Sequence, residues 1–184
     1  MPSPSAGDFL LPIARNIIEQ FFIKSPMTTK AFPLWAQEKG SCFVSLVKNG
    51  RLRGCCGTIF PVESLVDDVQ NNALEAAFHD PRFPSLLQEE LSTISIEISI
   101  LSPLLPIKTD TEKEVLDILR PHIDGAVLLW KEHKSTFLPF VWSIFPEKKD
   151  FLTELKKKAG LAEDFWTKNL KIFTYTVSTW KEQK

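Results

Sequence analysis

Two periods of apolar residues divide this chain. Leu10, Ile13, Ala14, Ile17, Ile18, Phe21 and Phe22 recur at the i, i+3, i+4, i+7 spacing of a helix buried along one face. Asp8 is placed to cap that helix. Pro12 lacks an amide hydrogen and suits only a first turn, so regular helix is expected from about Leu11. Leu65, Val69, Ala73, Ala76 and Ala77 form a second stripe, with Ser64 as N-cap and Asp80-Pro81 as the stop. Shorter helices are expected over Thr111–Leu119, closed by Pro121, and from Asp150 as cap to Lys158, ended by Gly160. Lys24–Gly40 reads as a connection.

The other period is two. Ile94, Ile96, Ile98 and Ile100 alternate with Ser95, Glu97 and Ser99, which predicts a strand with an isoleucine face in the core and Glu97 on the other face. Ala126–Trp130 and Leu170–Val177 read as further strands, while Thr136–Phe145 is too aromatic and proline-interrupted to assign. Cys42–Val47 and Leu52–Ile59 flank Asn49-Gly50, the residues that a tight type I′ hairpin turn requires. A hairpin and later strands, not regularly interleaved with crossover helices, give the α+β class: an antiparallel sheet flanked by helices.

Composition narrows the picture. The 184 residues suit one domain, over 8–184, after a Pro/Ser-rich segment 1–7 expected to be disordered. Lys+Arg at 22 nearly equals Asp+Glu at 23, so no overall charge recruits nucleic acid or an anionic membrane. No apolar run has the length to span a bilayer. Three cysteines, an odd number, and no signal-peptide pattern at the N-terminus point to free thiols in a reducing cytoplasm. Cys42, Cys55 and Cys56 lack zinc or cluster spacing, and His79, His122 and His133 form no i, i+4 pair; neither metal nor cofactor is expected.

The chemistry concentrates in the hairpin's return strand. Simple alternation puts Arg53, Cys55 and Gly57 on one face and Leu52, Gly54 and Cys56 on the other. An unbroken two-residue hairpin sets Leu46 opposite Arg53 and Val44 opposite Cys55. A guanidinium beside a thiol favours the thiolate, against which stands the commoner fate of a free cysteine as a small packed hydrophobe. Gly54 and Gly57 pack nothing and suggest a bulge or a close approach by a backbone or ligand. Asp80 and Arg82 lie in a proline-bounded loop able to place charges, or simply to form an ion pair, and Glu97 is a candidate partner for Arg53 or Arg82. No histidine near Cys55 in the sequence offers a general base. Lys156-Lys157-Lys158 at a helix C-terminus complements the dipole and needs no ligand.

Leu52-Arg53-Gly54-Cys55-x-Gly57-Thr58 resembles the signature of the AMMECR-one family, also called AmmeMemoRadiSam system protein A. Asp80-Pro81-Arg82-Phe83-Pro84, Ile96–Pro103, Thr136-Phe137-Leu138-Pro139-x-Val141-Trp142, Lys158–Leu161 and Asp164-Phe165-Trp166 extend the resemblance from about Leu10 to about Trp180. Cys56 and Phe140 depart from it, standing where relatives usually carry an aliphatic and a polar residue. The resemblance implies two lobes of unequal size, the larger from both chain ends, with the Arg-Gly-Cys motif facing a cleft between them. Taken with these residues, the first reading is an enzyme or enzyme component, with Cys55 and Arg53 in catalysis and Gly54, Gly57, Asp80, Arg82 and Glu97 around the substrate. The family's system name joins the domain to a Memo-like protein and a radical-SAM enzyme. The alternatives are a non-catalytic module that presents substrate to those partners and, more remotely, a nucleic-acid-binding factor.

Overall fold

A computed structural model describes residues 5–23 and 32–183. In chain order the elements are α1 (Ala6–Ile23), α2 (Leu34–Gln37), β1 (Cys42–Lys48), β2 (Arg51–Gly57), α3 (Leu65–Leu74), β3 (Ile94–Leu101), β4 (Leu105–Ile107), α4 (Glu112–Ile118), β5 (Gly125–Trp130), β6 (His133–Phe137), α5 (Lys148–Lys158), β7 (Lys171–Tyr175) and β8 (Val177–Lys181). A π-helical turn, Glu75–His79, continues α3, and 3-10 turns occupy Gln88–Glu90 and Pro139–Ser143. The fold is α+β, with two four-stranded sheets ordered β2-β1-β3-β8 and β4-β7-β5-β6. Each sheet belongs to its own compact unit, Met1–Leu101 with Ser178–Lys184 and Ser102–Val177.

In the first unit the predicted stripes meet one face of the sheet. Leu10, Ala14 and Ile18 of α1 and Leu65, Val69 and Ala73 of α3 pack on Val44, Leu46 and the isoleucines of β3. Ser64 caps α3 as expected, its hydroxyl accepting the Asp67 amide hydrogen at 3.3 Å. The start of α1 differs from the expectation. Residues 1–4 of the segment expected to be disordered lie outside the described residues, as do 24–31 of the connection. Ala6 and Gly7, however, are helical and buried, and Asp8 lies in the first turn instead of capping it. The reason is Trp180: a Cβ on Gly7 would lie 2.3 Å from its ring, so the chain fits beneath the indole only as glycine. Pro12 then falls inside the helix on its exposed side, where it costs one backbone bond, to the carbonyl of Asp8.

The chain ends are tied by charge. Arg15 of α1 donates Nε to Glu182 Oε1 at 2.9 Å and Nη2 to Glu182 Oε2, and reaches the carbonyls of Leu91 and Ile94 at 2.9 and 3.0 Å. Glu182 also accepts the Ile96 amide hydrogen at 2.8 Å. One carboxylate therefore joins α1, β3 and the chain beyond β8.

The strand expected over Leu170–Val177 is two strands in different sheets, parted at Thr176. Thr176 donates its amide hydrogen to Ser102 Oγ and accepts the Ser102 amide hydrogen, both at 2.9 Å. In the second unit, the unassigned Thr136–Phe145 supplies the last two residues of β6 and the Pro139–Ser143 turn, whose Trp142 is fully buried and donates Nε1 to the Asp124 carbonyl at 2.7 Å. Asp150 lies in the first turn of α5 and Glu147 takes the cap position. Gly160 follows that helix with φ +76°, as a C-terminal glycine should. Lys156 is not part of a solvated cationic end. It is buried and its ammonium meets both oxygens of Glu112 on α4, at 3.2 and 3.3 Å.

Replacing Glu182 by Ala leaves the part-buried Arg15 guanidinium short of its carboxylate and should cost about 2–3 kcal/mol. Lys168→Ala removes an exposed 3.6 Å pair with Asp110 and should change stability by less than about 0.5 kcal/mol. Urea midpoints of the two variants measure the difference.

Candidate functional site at the edge of the first sheet

The hairpin turns on Asn49 and Gly50, with φ of 52° and 72°, and Lys48 pairs with Arg51 and Val47 with Leu52. There the expected register ends. Leu46 pairs with Gly54, Ser45 with Cys55, Val44 with Cys56 and Phe43 with Gly57, so Arg53 is an extra residue in a β-bulge. One inserted residue moves every later side chain to the other face. Gly54 and Cys56 turn toward the core, while Cys55 joins Ser45 and Glu97, the residue paired with Ser45 on β3, on the opposite face.

Arg53 is consequently not a partner of Cys55. Its Nε and Nη2 donate to Glu90 at 3.0 and 2.8 Å, and Nη2 reaches the Ser85 carbonyl at 3.4 Å. Glu90 further accepts from Lys48 Nζ at 2.8 Å and the Leu87 amide at 3.1 Å. Lys48 has the strand parity of Val44 and Leu46, so this knot lies away from the thiol. The Arg53 guanidinium, with smaller help from Lys48, holds the Glu90 carboxyl down at about 2 against the cost of burial. Sequence reasoning missed Glu90; the only local sign was an acidic pair, Glu89-Glu90, after the proline-rich loop.

Asp80 and Arg82 do converge on Cys55, through its backbone. β2 is an edge strand, and the Cys55 amide and carbonyl point outward from it. Asp80 Oδ2 accepts the Cys55 amide hydrogen at 2.8 Å, and Arg82 Nη2 donates to the Cys55 carbonyl at 3.3 Å. Arg82 also grips Asp80 with Nε at 2.9 Å and Nη2 at 2.7 Å. Asp80 is buried, Arg82 half exposed. This guanidinium holds the Asp80 carboxyl well below the usual carboxylate range, and Asp80 in turn raises the Arg82 pKa. The pair caps the sheet edge and cancels most of its own field.

The two glycines have different neighbours. A Cβ on Gly54 would lie 2.1 Å from the Ala76 carbonyl oxygen of the π-helical turn, a backbone that cannot step aside. A Cβ on Gly57 would lie 2.2 Å from the ring of Phe43, a side chain and not backbone. Glu97 contacts neither arginine; it pairs with Lys181 of β8 at 2.7 Å.

What remains on the open face is a polar row across four strands: Cys55, Ser45, Glu97 and Lys181. Ser45 Oγ donates to Cys55 Sγ at 3.3 Å. Beside the row, Ser99 and Thr179 hydroxyls meet at 2.9 Å. Cys55 is half-buried, whereas Cys42 is fully buried and its thiol is pushed well up, by burial first and then by Asp68. The Cys56 thiol is also raised, chiefly by burial. Among the described residues no group of His, Cys, Asp and Glu has the arrangement to hold a metal ion, and no helix is long and apolar enough to cross a membrane.

A family model described as AMMECR1 matches residues 11–180. A Methanocaldococcus jannaschii protein is 31% identical, covering 96% of this chain and 90% of its own. One from Methanocella arvoryzae is 33% identical, covering 95% and 90%. The crystal structure of an uncharacterized protein from Pyrococcus horikoshii superposes with a TM-score of 0.88 at 29% identity, covering 96% of this chain and 91% of that one.

Gly54→Ala should destabilise the protein by about 1–3 kcal/mol through overpacking, and Gly57→Ala by less than about 1 kcal/mol as Phe43 moves. Thermal melting of both variants tests this ranking. Glu90 titrates lower in the folded chain than its ordinary 4.5. Its stabilisation is therefore complete above about pH 4.5 and lost as pH falls through about 2. Glu90→Gln should flatten that part of the urea-midpoint profile by about 1–3 kcal/mol.

Proposed function

This chain belongs to the AMMECR1 family, and from that premise we propose that it is a binding component, not a self-sufficient enzyme. Its Cys55–Ser45–Glu97–Lys181 face takes up a polar segment of a Memo-like or radical-SAM partner, or the substrate passed between them. The observation that carries this reading is the commitment of both guanidiniums. Arg53 is held through Nε and Nη2 by Glu90, with Nη1 buried and unpartnered among the described residues, and Arg82 is held by Asp80. Most of the charge expected to bind an anionic substrate and activate a thiol is therefore engaged in the frame. A Cys nucleophile also needs a base, and the side-chain hydrogen bond found at Cys55 comes from a serine hydroxyl. Donor, acceptor, cation and thiol in one row on a sheet suit recognition of a polar surface.

The enzymatic reading retains one supporting observation: Cys55 is half-buried on the polar face, with the Ser45 hydroxyl donating to its sulfur at 3.3 Å. The two readings separate in one pair of measurements. Association with the Memo-like and radical-SAM proteins of the same organism is followed by calorimetry for the wild type, Ser45→Arg and Cys55→Ser. The binding reading expects Ser45→Arg to weaken association at least about tenfold by obstructing the row, and Cys55→Ser to keep most of it. Iodoacetamide labelling at neutral pH should modify Cys55 before Cys56 and Cys42, whose thiols are raised. Association indifferent to Ser45→Arg, together with turnover abolished by Cys55→Ser, would replace the binding component with a thiol enzyme.

A further inference from the structure

The second unit carries a cavity of about 740 Å³ beside the β4–β7 ladder. That is within the range of small-molecule sites, about 300–1,000 Å³. Pro106 and Phe173 give it an apolar wall, and three lysines, Lys108, Lys168 and Lys171, line it as well. Leu105 pairs with Thr174, Pro106 with Phe173 and Ile107 with Ile172. Continuing that register by one residue sets Lys108 directly across from Lys171. Like charges opposite one another on a sheet destabilise it.

Neither lysine is relieved by a carboxylate. Lys108 and Lys171 make no ion pair among the described residues, whereas Lys168 has Asp110 at 3.6 Å. The other acid lining the cavity, Glu114, is engaged in capping α4, where its carboxylate accepts from the Thr111 hydroxyl at 2.7 Å and amide at 3.2 Å. Two lysines next in register beyond the ladder, neither in an ion pair among the described residues, in a lining of three lysines against Asp110 and Glu114, match an anionic headgroup on an apolar body. We propose that this cavity binds a small organic phosphomonoester, the phosphate between Lys108 and Lys171 and the apolar body against Pro106 and Phe173, which share their strand face. A phosphate carries about −1.5 to −2 charges at neutral pH, which two lysines balance and one does not. The residues lining the site all belong to the second unit.

The probe is 1-naphthyl phosphate, titrated into the full chain with amide NMR detection, beside 1-naphthol, 1-naphthoate and inorganic phosphate. The phosphate ester should shift the amides of Ile107, Lys108 and Lys171 saturably, binding about tenfold tighter than the naphthol, a difference of about 1.4 kcal/mol. The carboxylate should lie between them, and inorganic phosphate alone should bind more weakly than the ester. Lys108→Gln with Lys171→Gln should weaken the ester about tenfold or more while leaving the unliganded melting temperature equal or higher, since repulsion is removed. Raising salt to about 0.5 M should weaken wild-type binding independently of any variant. The proposal is overturned if the ester gives no saturable shift at these residues or binds no tighter than the naphthol. Affinity unchanged in the double variant or in high salt, or inorganic phosphate equalling the ester, overturns it too.

Discussion

The first unit depends on a methyl group that is missing. At Gly54 the Ala76 carbonyl oxygen occupies the space a Cβ would need, 2.1 Å from where it would stand. Only that approach lets the π-helical turn lie against β2, and a π turn, one residue wider than the α period, is itself rare away from functional regions. The chain leaves the turn at Asp80, whose carboxylate arrives at the outward-facing amide of Cys55. The loop beyond folds back on the turn: the Leu86 amide donates to Ala77 O at 2.8 Å and Ser85 Oγ to Phe78 O at 3.0 Å. Close approach, edge cap and loop closure are therefore one arrangement, and the glycine admits all three.

Much of this frame could be read in the sequence because periodicity reports burial. The α1 stripe, the Ile94–Ile100 face, the Asn49-Gly50 turn and the Ser64 cap each follow from local chemistry. Gly54 and Gly57 were also legible as marks of a bulge or a close approach. Which of these applied to each was not, because glycine records only that a side chain is absent. The bulge at Arg53 had the largest effect. Counting by twos put Arg53 and Cys55 together, and one extra residue separated them. Contacts such as Arg15 with Glu182, 167 residues apart, leave no periodic trace at all. Neither does the exchange of sheets at Thr176, since residues on both sides of it remain extended.

Electrostatics divides the residues into two sets. Arg53, Arg82, Asp80 and Glu90 form two pairs with their oxygens and nitrogens largely mutually occupied. Partly buried pairs of this kind contribute little net attraction beyond offsetting their own desolvation, but removing one member is costly. Their value is positional: they fix the bulge and the strand edge. A motif rich in charge thus yields a surface whose chemistry is mostly hydroxyl and thiol.

Strand geometry explains how one residue serves both sets. The backbone groups of Cys55 lie in the plane of the sheet and are taken by Asp80 and Arg82, while its side chain stands perpendicular to that plane beside Ser45. The two directions are independent. The thiol and its row can change without disturbing the bonds that hold the edge, whereas a change at Asp80 disturbs the edge and releases the Arg82 guanidinium beside the thiol. Lys108 and Lys171 show the opposite economy in the second unit. There neither lysine is in an ion pair among the described residues, although Asp110 and Glu114 line the same cavity, and their balance is left in part to what binds from outside.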